Sequence, residues 1–121
     1  MKLIVDLTQL GVKVAVATNQ QCVGKKLVNN RQLQKIHDHI NNHIVKLGGF
    51  KINFYVCPHL KSANCDCRKP KPGLIFRIMN DLKISAWETV YIGDQLIDRA
   101  AANASNVNFL HYDLKMHRFS K

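Results

Sequence analysis

Acidic residues are scarce in this sequence: eight Asp and Glu stand against eighteen Lys and Arg. The resulting formal charge of +10 attracts phosphorylated metabolites, nucleic acid and acidic membranes alike, so charge alone does not choose a partner. Long apolar stretches are missing too. Those present, such as Val12 to Ala17, fall far short of the ~20 residues a membrane helix needs, and the start lacks a signal-peptide pattern. A cytoplasmic location is the expectation that follows, with no membrane partner. There are only three prolines, and no Ser-rich or repeated stretch, so the sequence offers no linker at which to divide it. Aromatics are few, with one Trp, three Tyr and five Phe, and they are not interleaved with the basic residues as in an RNA-stacking sheet. A nucleic-acid partner therefore ranks below a small phosphorylated one.

What is present is 46% hydrophobic residues in 121, enough for one core and one domain over residues 1–121. Leu3, Leu7 and Leu10 recur at helical spacing and are closed by Gly11, which predicts a short first helix with a glycine cap. Val12 to Ala17 follows as a buried parallel strand feeding the polar Thr18-Asn19-Gln20. Leu33, Ile36, Ile40, Ile44 and Leu47 predict one face of a longer helix stopped by Gly48-Gly49, and Ile52 to Val56 a second strand. After a cysteine-rich loop, Pro72 opens a helix with Ile75, Ile78, Met79 and Leu82 inward. Thr89 to Ile92 predicts a third strand, an alanine-rich helix follows Gly93-Asp94, and Val107 to Leu110 predicts a fourth strand. Such alternation is the signature of an α/β fold with a parallel sheet, whose ligands bind at the carboxyl ends of the strands.

The loop from Cys57 to Cys67 carries the most specific chemistry. Cys57 and His59, then Cys65 and Cys67, supply three thiols and one imidazole as two close pairs within eleven residues. Zinc accepts this Cys₃His set tetrahedrally, and with all four positions filled by protein its work is structural. The competing readings are a disulfide, disfavoured by a cytosolic setting, and idle thiols, disfavoured by two closely spaced ligand pairs. Three thiolates on zinc leave a net charge of −1 beside Arg68 and Lys69, which orients those cations. Cys22 lies apart and reads as a small core or loop residue. His39 and His43 have the spacing of two helix-borne ligands without a third, and read as solvent-facing.

Val16-Ala17-Thr18-Asn19-Gln20, Cys57-Pro58-His59, Cys65-Asp66-Cys67-Arg68-Lys69-Pro70-Lys71-Pro72-Gly73, Tyr91-Ile92-Gly93-Asp94 and Asp98 occur in that order. In this the chain resembles the zinc-loop haloacid dehalogenase-like phosphatases, the group of heptose bisphosphate and histidinol-phosphate phosphatases. The resemblance implies a parallel-sheet, Rossmann-like domain with a zinc loop at 57–67, and it assigns roles. Thr18 and Lys69 stabilise the phosphate, Asn19 and Arg68 contact substrate, and Asp94 holds Mg²⁺, a hard ion suited to carboxylate, water and phosphate oxygens. Asp98 supports the site from the first helical turn or is exposed there. The Lys25-Lys26 pair departs from the small-residue loop usual after Thr-Asn-Gln.

The family's first motif, two aspartates one residue apart after the central strand, is not found in this sequence, so no nucleophile is identified. Asp6 in Val5-Asp6-Leu7-Thr8 mimics a strand-end nucleophile. A parallel crossover to Val12 would need at least ~10 residues, however, so Asp6 reads as an exposed helix residue. The absent strand would lie mid-sheet, which implies open sheet edges, an N-terminally incomplete domain, and self-association or a complementing chain. The function implied is hydrolysis of a sugar or polyol phosphate ester, heptose bisphosphate ahead of histidinol phosphate, with this chain inactive as it stands. The alternative is a zinc-stabilised phosphate-binding or interaction module without catalysis.

Overall fold

In the computed structural model, which describes residues 1–19, 29–57, 59, 64–113, 115, 116 and 118–120, the chain begins with helix α1 (Lys2–Gln9). Gly11 takes a φ of +83°, and the amides of Gly11 and Val12 return to the carbonyls of Thr8 and Leu7. That closes the helix as expected. Its buried residues are Val5 and Thr8, whereas Leu10, one of the leucines that mark the helical spacing, is 80% exposed. Thr8 is tolerated there because its hydroxyl bonds the Ile4 and Val5 carbonyls and accepts the Phe50 amide.

Strand β1 (Ala15–Asn19) pairs in parallel with β2 (Asn53–Cys57), in a register that sets Thr18 beside Val56 and Asn19 beside Cys57. Between them runs α2 (Asn30–Lys46), started by a reciprocal cap in which Asn29 Oδ1 accepts the Gln32 amide and Gln32 Oε1 accepts the Asn29 amide. Its inward face is Leu33, His37, Ile40 and Ile44. Ile36 and Leu47, expected inside, are each 51% exposed, because His37 takes the inward place at i+4 from Leu33 and lies flat on Phe54 with ring centroids 4.0 Å apart. Val5, Ile44 and Ile52 form the buried cluster of this unit, Met1–Leu60.

The second compact unit, Lys61–Lys121, contains α3 (Gly73–Leu82), a 3₁₀ turn (Ala86–Glu88), β3 (Val90–Gly93), α4 (Leu96–Ala104), β4 (Asn108–Asp113) and β5 (Arg118–Ser120). β3 and β4 are parallel; β5 returns antiparallel to β4, an element that the sequence pattern did not announce. Ile75, Ala101 and Val107 are buried together, with Met79, Ala86 and Tyr91 packed against them. Among the described residues, each unit thus has a small apolar cluster of its own. Among the described residues β1 pairs only with β2, and β3 only with β4.

Candidate functional site

The cysteine loop brings its four expected ligands together. The Sγ atoms of Cys57, Cys65 and Cys67 and a ring nitrogen of His59 all lie within 4.8 Å of one another, and no disulfide joins the cysteines. Cys57 Sγ is 3.6 Å from His59 Nδ1. An ideal tetrahedron with Zn–S and Zn–N bonds of ordinary length has a sulfur-to-nitrogen edge of about 3.6 Å, so the donor set fits zinc. Cys57 is buried at the end of β2 and His59 is exposed.

The loop then folds back on the start of α3. The Gly73 amide donates to the Asp66 carbonyl, and a Cβ at Gly73 would overlap that same carbonyl. Only glycine permits so close an approach. Between these points lie Arg68 and Lys69, with a cis peptide joining Lys69 to Pro70. Lys69 Nζ donates to Asp98 Oδ1 at 2.7 Å, their side chains 13% and 6% exposed. Arg68 is half-buried, and its Nη1 is buried with no hydrogen-bond partner among the described residues. Such an atom is costly unless an acceptor meets it.

At the carboxyl end of β3, Gly93 and Asp94 lead into α4. Asp94 is exposed and precedes Gln95, the N-cap residue of α4. Asp98, open at sequence level between support and exposure, is buried at 4%. Its Oδ1 accepts Lys69 Nζ and the Tyr91 hydroxyl (3.3 Å), and its Oδ2 accepts the Gln95 amide (3.2 Å). A Cβ on Gly93 would come within 2.6 Å of Asp98 Oδ2, so glycine is what lets this carboxylate seat against the strand. Burial first, then the charge and hydrogen bond of Asp98, push the Tyr91 phenol well above its ordinary pKa. The sequence gives Tyr91 no role beyond its place in Tyr91-Ile92-Gly93-Asp94; its contact with Asp98 is visible only in the structure.

Thr18 and Asn19 occupy the carboxyl end of β1 beside Val56 and Cys57, as the strand-end rule requires. Asp6 is exposed on α1 rather than at a strand end, and His39 and His43 are exposed on α2. Cys22, Lys25 and Lys26 lie outside the described residues. Among the described residues, the loop set is the only group of three or more Cys, His or acidic side chains arranged for a metal. Asp94, the residue expected at Mg²⁺, belongs to no such group, and Mg²⁺ is an ion that needs few protein ligands when water and phosphate oxygens complete its octahedron. Among the described residues no helix is long and apolar enough to cross a membrane.

Comparison with known proteins places this geometry. The chain is 39% identical over 104 residues to the D-glycero-beta-D-manno-heptose-1,7-bisphosphate 7-phosphatase of Neisseria meningitidis, covering 86% of this chain and 56% of the relative. It is 34% identical over 101 residues to the Pseudomonas aeruginosa protein of the same name, covering 84% and 57%. The crystal structure of D,D-heptose 1,7-bisphosphate phosphatase from B. bronchiseptica, complexed with magnesium and phosphate, superimposes with a TM-score of 0.80 at 32% identity. That match covers 91% of this chain and 60% of the other. The chain thus spans little more than half the length of these relatives. The family profile of haloacid dehalogenase-like hydrolases matches residues 1–112. With nearly its whole length matched, and with the strand-end and loop geometry in place, this chain belongs to the haloacid dehalogenase-like hydrolases.

Proposed function

We propose that this chain is the phosphate-handling part of a phosphatase acting on a sugar or polyol phosphate monoester, heptose bisphosphate ahead of histidinol phosphate. The observation that carries the reading is the Lys69–Asp98 pair, its lysine two residues after the last loop cysteine, with the buried, unmet Arg68 Nη1 one residue away. A phosphoryl group in transfer spreads negative charge over its equatorial oxygens, and fixed cations are what stabilise it. In this reading Lys69 neutralises the phosphate, Thr18 offers its hydroxyl, and Asn19 and Arg68 contact the rest of the substrate. Zinc on Cys57, His59, Cys65 and Cys67 keeps Arg68 and Lys69 in place. Mg²⁺, with Asp94 as its ligand here, supplies charge neutralisation at the phosphate oxygens when bound. The location proposed with this reading is the cytoplasm.

No residue of this chain is assigned as nucleophile, since Asp6 is a helix residue. The chain alone is then a phosphate-binding module, and catalysis needs an Asp-x-Asp strand. The test is phosphate release from heptose 1,7-bisphosphate and histidinol phosphate. It compares the chain alone with a version extended upstream by such a strand, each with and without Mg²⁺. Activity only in the extended form supports the reading. Mg²⁺-dependent turnover by the unextended chain, lost in Asp6→Asn, refutes it.

A further inference from the structure

Strand β3 holds an aromatic ring where its neighbours are aliphatic. Tyr91 packs against the Ile75, Ala101 and Val107 cluster, and its ring lies 6.0 Å from that of Phe109, its register partner on β4. Packing alone would be satisfied by phenylalanine. The hydroxyl adds a donor that reaches Asp98 Oδ1, the oxygen that also accepts Lys69 Nζ. The Gln95 amide takes Oδ2, so the buried carboxylate is held from three directions by a strand residue, a helix-cap amide and the loop lysine. The phenol keeps its proton because burial and the Asp98 charge both oppose ionisation, so the donor persists at every physiological pH.

We propose that Tyr91 is a positioning residue for the phosphate site: its hydroxyl fixes the Asp98 carboxylate, which in turn places the Lys69 ammonium. The inference rests on the reading of Lys69 as the phosphate-neutralising cation. Without the hydroxyl, a nearly buried carboxylate oxygen has one donor instead of two. The carboxylate then turns towards Lys69 and draws the ammonium away from an incoming phosphate.

The experiment titrates inorganic phosphate into the full zinc-loaded chain by calorimetry. It compares the parent, Tyr91→Phe, Lys69→Gln and the double variant, with a melting curve for each. Tyr91→Phe should weaken phosphate binding roughly fivefold, as suits one long hydrogen bond to a charged group. In the Lys69→Gln background the same change should have no effect on phosphate, while its effect on melting persists. A merely structural tyrosine would weaken binding equally in both backgrounds; that result, or unchanged binding in Tyr91→Phe, overturns the proposal and leaves Lys69 standing. If the parent binds no phosphate, or Lys69→Gln binds it as tightly, the Lys69 reading fails and takes this one with it. Should Lys69→Gln not fold, Asp98→Asn serves as the second background, with the same expected and refuting outcomes.

Discussion

Gly93→Ala isolates how closely the site is built. Gly93 is not among the residues at positive φ, so alanine brings no backbone penalty and the effect is the side chain's alone. The added Cβ would sit 2.6 Å from Asp98 Oδ2 and 2.7 and 2.8 Å from Asp98 Cβ and Cγ, where ordinary contact begins at 3.4 Å. The first turn of α4 must retreat by roughly 0.8 Å. A shift of that size takes the 2.7 Å Lys69–Asp98 contact past the ~3.2 Å limit of a good N–H···O bond unless Lys69 follows. Overpacking costs about 1–3 kcal/mol, and weakening a hydrogen bond between charged groups about 1.5–3 kcal/mol. With partial relaxation the sum is about 3 kcal/mol, a large share of the ~5–15 kcal/mol that holds a domain together. Thermal and urea unfolding at fixed excess zinc should show a melting point lower by roughly 10 °C and weaker phosphate binding. A variant as stable as its parent would mean that Asp98 does not seat against this glycine, and the account of the site would fall with it.

Protein purified without added metal should carry about one zinc per chain, and chelation or Cys57→Ser should unfold the loop, read by metal analysis and near-ultraviolet dichroism. An equally stable, metal-free chain would exclude the site. For His37, burial against Phe54 lowers the pKa, and the charge of Asp38 opposes this more weakly. Above pH ~6.5 the folded and unfolded chains are both neutral there, and nothing is lost. As the pH falls below that value the unfolded chain gains a proton that the folded one resists. Stability then drops until the lowered folded pKa is passed. Urea midpoints between pH 7.5 and 5 should therefore fall more for the parent than for His37→Phe, and parallel curves would refute the assignment.

Element types were legible in the sequence, and the beginnings of strands were not, for one recurring reason. Each expected strand started too early because its first amides are already engaged. The Val12 amide closes α1 on Leu7, and the Thr89 amide closes the 3₁₀ turn on Ala86. The Val107 amide returns to Ala102 at the end of α4. At Ile52 a side chain does the same: Asn41 accepts its amide and donates to its carbonyl, so β2 begins at Asn53. Apolar pattern does not report hydrogen-bond allocation: Ile52 and Val107 are buried, and Val12 is half-exposed, yet none of them is in a ladder. The zinc ligands were legible because they lie within one short loop. The Lys69–Asp98 pair was not, because its members are 29 residues apart and an acidic residue in a first helical turn has an ordinary role as a capping group.

The strand edges bear on how the protein behaves at high concentration. Among the described residues β1 and β3 each carry a ladder on one side only, and Val90 and Ile92 of β3 are 51% and 42% exposed. An unpaired apolar strand is a template for coagulation, and its usual gatekeepers, charges on the strand itself, are absent from Val90–Gly93. The formal charge of +10 is the counterweight, a long-range repulsion between copies that acts before any edge can dock. That repulsion reaches about 10 Å at 0.1 M salt and about 3 Å at 1 M. Ionic strength is therefore the variable that governs how closely copies of this chain approach, and its light scattering should rise as salt screens the field around the edge of β3.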